Sequence, residues 1–280
     1  MSATMTVMSR MMESYPHCEF HTCTRRASVW RRFSGEREGV RVEGRWFCGP
    51  ECFEKEVSGI YARLLPSARP RDFKPHRIPL GLVLFSQDLV SKVHLQAALQ
   101  TQRESGGRMG ELLRQQGVVT DAQVTTALAT QWSRPVFPLE NSRKFLECVN
   151  LIPGPLLESA RMIPVHHVAS AKMLYVAFAE SIDYTTLYGI EQMLEVRTEP
   201  CLAQESAIGR AMEELRLKQR STEVLFDSIK DPREMGAVTR SYAVQLAADD
   251  VRIVSCGEFV WTRITSHGEH HNLLFKIPQH

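Results

Sequence analysis

The sequence predicts an α+β multidomain protein: a small cysteine-stapled finger, a tandem helical repeat joined to an α/β half-domain, and a small C-terminal α+β domain. Three observations predict it. Four cysteines fall in two close pairs near the start, and one 24-residue pattern is written twice in residues 79–131. Helix-length and strand-length apolar segments then alternate from residue 151 onward. A chain of 280 residues suits two or more modest domains. Its 43% apolar and 24% charged residues are ordinary for packed cores. A net charge of +2 supplies no global attraction to nucleic acid. No apolar run approaches about 18 residues, so no membrane insertion is expected.

Residues 1–14 carry several methionines but no basic start followed by a continuous apolar stretch. They read as a disordered leader rather than a signal peptide, and a cytoplasmic protein is expected. Residues 15–62 form the finger. Cys18, Cys23, Cys48 and Cys52 have four, 24 and three residues between successive members. Thiolates in two short converging loops make a tetrahedral zinc site, and a segment of about 45 residues is too small to fold well without such a staple. In RWFCGPECFEKE, Gly49-Pro50 gives a tight turn between ligands and the residues after it start a helix. The pattern resembles treble-clef-like zinc fingers, which usually open with two residues between the first pair rather than four. His21 is an alternative to Cys23, and His17 lies beside Cys18; a disulfide pair is the rival to a zinc-bound finger. Cys148, Cys201 and Cys256 sit in apolar contexts as small buried residues. Arg25, Arg26, Arg31, Arg32, Arg37, Arg41 and Arg45, with Trp30 and Trp46, make the finger basic and aromatic enough to raise nucleic acid as a partner. A solvated face is the simpler account of them.

Residues 63–77, RLLPSARPRDFKPHR, read as a semi-rigid linker. The repeat follows. Its first copy, PLGLVLFSQDLVSKVHLQAALQTQ, runs from Pro79 to Gln102, and its second, RMGELLRQQGVVTDAQVTTALATQ, from Arg108 to Gln131. Equivalent positions lie 29 apart, so Gly81 matches Gly110, Leu84 matches Leu113, Leu99 matches Leu128 and Gln102 matches Gln131. Each copy predicts a short helix, a turn and a longer helix that bury their apolar faces against the other copy. In the second copy Gly117 is the left-handed stop, and Thr120 with Gln123 forms a capping box. The first copy stops at Asp88 instead and caps with Ser91.

The pattern (Arg)-Leu-Gly-x2-Leu-x3-Gly-x6-Leu-x3-Leu-x2-Gln, repeated across a five-residue spacer, resembles the MshEN domain. That domain is the amino-terminal region of ATPases driving type II secretion and type IV pilus assembly. The resemblance implies binding of cyclic di-GMP. A ligand with two similar halves suits a site made of two similar motifs, with helix amino-termini for phosphate and leucines and arginine for the bases. Carried onto this sequence, the implied ligand residues are Leu80, Gly81, Leu84, Leu95, Leu99 and Gln102 in the first copy. In the second they are Arg108, Met109, Gly110, Leu113, Gly117, Val124, Leu128 and Gln131. The first copy departs at Pro79, where the family has arginine, and at Asp88, where it has glycine. Arg77 lies two residues from Pro79 and is a candidate replacement.

After the repeat, Pro135, Pro138 and Pro153-Gly154-Pro155 mark extended connections. Helices are expected at 156–161, 185–194 and 206–217, with strands at 163–168, 174–178 and 196–198. This order, with MIPVHHVASAKMLYVAFAESID, extends the resemblance over residues 78–217, with the α/β part at 151–217. Residues 221–280 predict a helix at 232–247 and strands near 251–255, 258–265 and 272–277, with His267, His270 and His271 in a solvated turn. There is no G-x4-G-K-[ST], G-x-S-x-G or H-E-x-x-H motif, so no motor and no enzyme is expected. The expected function is that of a regulatory adaptor that binds cyclic di-GMP and engages a protein partner of a secretion- or pilus-type machine. The alternatives are a ligand-free interaction scaffold and a nucleic-acid-binding finger.

Overall fold

A computed structural model of the chain describes residues 17–25, 39–65, 77–148, 150–218 and 223–277. The leader, Arg26, Trp30, Arg31, Arg32, Arg37 and most of the expected linker lie outside the described residues. In chain order the finger holds β1 (Val40–Val42), β2 (Arg45–Phe47) and α1 (Pro50–Leu64). The repeat holds α2 (Leu80–Ser86), α3 (Lys92–Ser105), α4 (Met109–Gln115) and α5 (Asp121–Trp132). Then come α6 (Gly154–Ala160), β3 (Met162–Val168), β4 (Met173–Phe178), α7 (Tyr184–Leu194), β5 (Arg197–Leu202) and α8 (Glu205–Lys218). The last elements are β6 (Glu223–Phe226), α9 (Pro232–Gln245), β7 (Asp250–Cys256), β8 (Phe259–Ser266) and β9 (Glu269–Lys276). They fall into two compact units, one from Met1–Ala68 with Ser221–His280 and one from Arg69–Arg220. No described helix is long and apolar enough to cross a membrane.

The first unit corrects the expected boundaries. Residues 15–62 and 221–280 do not form separate domains. They share one six-stranded sheet in the order β2-β1-β7-β8-β9-β6, in which β1 runs parallel to β7. The physical reason is core size: the finger's Val42, Phe47, Phe53, Val57 and Tyr61 bury themselves among Val251, Ile253, Val260, Leu273 and Phe275. So short a segment cannot exclude water alone. Alternation along β7, β8 and β9 turns one set of side chains toward this core, where α1 and α9 pack. The β1–β2 hairpin turns at Glu43 and Gly44, with φ of 51° and 76°. Two successive positive φ values suit the right-handed twist of a hairpin. The Glu43 carboxylate also accepts from the Ile253 amide at 2.6 Å. β1, β2 and β6 were not expected from sequence, being three or four residues long. Burial confirms Cys148, Cys201 and Cys256 as core residues.

At the centre of this core the Tyr61 hydroxyl lies 2.7 Å from Thr239 Oγ1 and 2.6 Å from Thr262 Oγ1, tying α1 to α9 and to β8. Burial pushes the Tyr61 phenol well above its ordinary range. Tyr61→Phe orphans two buried hydroxyls and is expected to cost about 1–3 kcal/mol. Urea unfolding of the variant measures this, and an unchanged midpoint would refute the triad's role.

In the second unit the repeat folds as its punctuation dictates. Asp88 and Gly117 both take the left-handed conformation after their short helices, at φ 55° and 70°. Thr120 accepts from the Gln123 amide at 3.2 Å while Gln123 Oε1 accepts from Thr120 N at 2.8 Å, closing the capping box. Ser91 and His94 make the equivalent box on α3. The α/β half is a three-stranded sheet in the order β3-β4-β5, with β3 and β4 antiparallel and β4 and β5 parallel across α7. The strand expected at 196–198 extends to Leu202 despite Pro200. Leu202, two residues on, turns its N–H outward to the Pro135 carbonyl at 2.9 Å. Pro200 therefore lacks its N–H on the outer edge, where the β4 ladder does not need it.

Candidate functional site

The two copies meet about a pseudo-twofold axis, and the contacts repeat with the 29-residue offset. A Cβ added at Gly81 would lie 3.0 Å from Leu95 Cδ2 and 3.9 Å from Met109 Cγ. One added at Gly110 would lie 2.9 Å from Val124 Cγ1 and 3.3 Å from Leu80 Cδ2. Each glycine is thus pressed between the long helix of its own copy and the first residue of the other copy's short helix. The glutamines repeat the exchange. Gln102 Nε2 donates to the Gly107 carbonyl at 2.8 Å, and Gln131 Nε2 donates to the Ile78 carbonyl at 2.6 Å. Each glutamine therefore holds the backbone that leads into a copy of the motif.

The implied ligand residues separate by burial. Leu84, Leu113, Val124 and Leu128 are buried, as are Gly81 and Gly110; they hold the helices together. Gly117 lies in an exposed turn. Leu80, Leu95, Gln102, Met109 and Gln131 are half-buried, and Leu99 is 42% exposed. The Arg108 side chain is 51% exposed and forms an ion pair with Glu180. Asp88 is exposed at its turn. Arg77 places its guanidinium carbon 3.1 Å over the Trp132 ring.

The partner of Arg108 begins a chain of charges that links the repeat to the α/β half. Glu180 lies 3.7 Å from Arg161, which pairs with Glu205. Glu205 pairs with Arg114, and Arg114 reaches Asp121 at 3.2 Å. Asp121 Oδ2 in turn accepts from the Ser206 amide at 3.1 Å. Glu180, Arg161 and Glu205 were not singled out from the sequence. Partners 72 or 91 residues apart leave no spacing signal, although Glu180 stands inside the quoted phrase MLYVAFAESID.

The four cysteines converge as their pairing suggests. Their sulfurs all lie within 4.8 Å of one another, with Cys23 Sγ to Cys48 Sγ at 3.6 Å and Cys48 Sγ to Cys52 Sγ at 3.9 Å. A tetrahedral zinc with bonds of about 2.3 Å requires sulfur–sulfur edges of about 3.8 Å. A disulfide requires about 2.05 Å. The donor set therefore fits a thiophilic dication. Cys48 N–H points at Cys18 Sγ at 3.5 Å, and the Arg25 amide holds the Cys23 thiol down at about 7. Burial pushes Cys52 up to about 11. Cys23, not His21, joins the group. Trp46 is buried and Arg45 pairs with Glu56, so neither is a free contact for nucleic acid.

No family model matches the chain. It is 23% identical over 180 residues to the type IV pilus assembly ATPase PilB of Myxococcus xanthus, covering 62% of this chain and 31% of that protein. It is 25% identical over 128 residues to PilB of Thermus thermophilus, covering 46% and 14%. The chain thus spans under a third of the length of these relatives. A structure of MshE with cyclic di-GMP aligns at 24% identity and a TM-score of 0.43, covering 50% of this chain and 99% of that one. Motif and relatives agree: the second unit resembles the MshEN-type domain of pilus and secretion ATPases, in a sequence that carries no phosphate-binding motor motif.

Proposed function

We propose that the second unit binds cyclic di-GMP across its pseudo-twofold repeat, and that the protein is a non-enzymatic adaptor passing this signal to a pilus- or secretion-type assembly. The supporting observation is the duplicated contact set, in which Gly81, Leu95, Met109 and Gln102 are repeated by Gly110, Val124, Leu80 and Gln131. Two equivalent half-sites suit a ligand with two equivalent halves. Arg108 supplies a planar fork for a guanine edge and exchanges Glu180 for the base, while Arg77 stands in for the arginine replaced by Pro79. The partner in assembly is proposed from the pilus ATPase relatives alone. In the first unit the four cysteines hold a structural zinc.

Calorimetric titration of cyclic di-GMP into the full chain tests the reading. Binding near micromolar or tighter is expected. Arg108→Ala removes a bidentate contact of about 1–3 kcal/mol and is expected to weaken binding about tenfold or more. Unchanged affinity in that variant would sink the assigned site. One set of observations favours the second reading, a ligand-free scaffold: Gln102, Gln131 and Arg108 already have protein partners. Absence of heat, confirmed by a second binding method, would select it.

A further inference from the structure

We infer that Arg77, Trp132 and Tyr184 form a stacking platform for one guanine base, beside the start of the first repeat copy. The inference rests on the cyclic di-GMP reading and extends it to residues outside the tandem motif. The backbone places the platform. Gln131 grips the Ile78 carbonyl, which ties the chain just before Pro79 to the end of α5. Trp132 is the next residue along that helix, and the Arg77 guanidinium lies flat enough on it for a 3.1 Å approach. Tyr184 continues the surface, its ring centroid 6.3 Å from that of Trp132 at a 44° tilt. Tyr184 is 48% exposed, and Tyr188, one helical turn on, is 61% exposed.

Six arginines of this unit, Arg108, Arg114, Arg134, Arg143, Arg161 and Arg210, each have a carboxylate partner. Among the described residues Arg77 has an indole ring instead, although burial already disfavours its charge. Trp132 takes one face of the planar guanidinium. An aromatic base has a π-face for the other, and guanine adds O6 and N7 acceptors for the N–H edge. The position also fits the dinucleotide. Glu180, the partner of Arg108, lies four residues before Tyr184, so one short segment is met by Arg108 of the second copy and by the platform at the first. Each base then has an arginine, and the loss at Pro79 is made good from Arg77.

The test is calorimetric titration of cyclic di-GMP into the full chain and into Arg77→Lys, Trp132→Ala, Trp132→Phe, Tyr184→Ala and Arg108→Ala, with a thermal melt of each. Arg77→Lys keeps the charge and loses the plane, and is expected to weaken binding about tenfold with no change in melting. Trp132→Ala is expected to lose about tenfold or more and Tyr184→Ala about fivefold, the scale of base–aromatic stacking. Trp132→Phe, which keeps a ring, is expected to stay within about threefold of the parent. If Arg108→Ala loses binding while Arg77→Lys, Trp132→Ala and Tyr184→Ala bind like the parent, the platform is overturned and the cyclic di-GMP reading stands. If the parent protein itself does not bind, that reading falls and the platform falls with it.

Discussion

The purified chain is expected to carry one equivalent of zinc, and Cys48→Ser to lose it together with the fold of the first unit. Cys48 is the hub of the cluster. Its sulfur lies 3.6 and 3.9 Å from those of Cys23 and Cys52, and its amide faces Cys18. The metal would join a loop that holds little core to the well-packed start of α1. Cys18 and Cys23 stand on a loop, and Cys48 and Cys52 flank the start of α1. Structural zinc contributes on the order of 10 kcal/mol to small thiolate domains at neutral pH. The loss should therefore exceed any single apolar truncation in this unit. Elemental analysis reads the stoichiometry and identity of the metal, since four thiolates also suit iron. Calorimetric melting with and without a strong chelator reads the stability. A metal-free protein whose melting ignores both chelator and Cys48→Ser would reject the site.

Gly110→Val is the second large effect. The added side chain meets Val124 and Leu80 at once, within a repeat whose Leu84 and Leu113 are fully buried. Overpacking of this kind costs about 1–3 kcal/mol, occasionally more. Gly81→Val should cost less, because Met109 stands 3.9 Å away where Leu80 stands 3.3 Å from the Gly110 position. Chemical unfolding of the two variants side by side checks both magnitude and order. Equal and small losses would mean that the copies are not held at the observed spacing. Because the same contacts shape the proposed ligand site, Gly110→Val is also expected to lower cyclic di-GMP affinity.

The repeat was legible because its instructions are local. Left-handed stops at Asp88 and Gly117, and capping boxes at Ser91 and Thr120, act within one turn of chain. The 29-residue offset showed which residues would be equivalent, and the glycine and glutamine contacts follow that offset. Leu84 and Leu113, which the resemblance implies as ligand residues, are fully buried, as the packing of short helices also requires. A motif records that a residue type recurs, and packing and binding both produce recurrence.

By itself the sequence determined the two helical hairpins, the order of strands and helices beyond residue 151 except β6, and the grouping of four cysteines. Each depends on residues near in the chain or on a period that can be read. Only the tertiary structure decided that the finger shares a sheet with the last 60 residues, that Arg108 faces Glu180, and that Arg77 rests on Trp132. These pairings join residues 55 to more than 200 positions apart. Short strands such as β1 carry too few residues to show an alternation. Charges and rings likewise have no period to declare a partner, so their pairing is set by where the packed core happens to bring them.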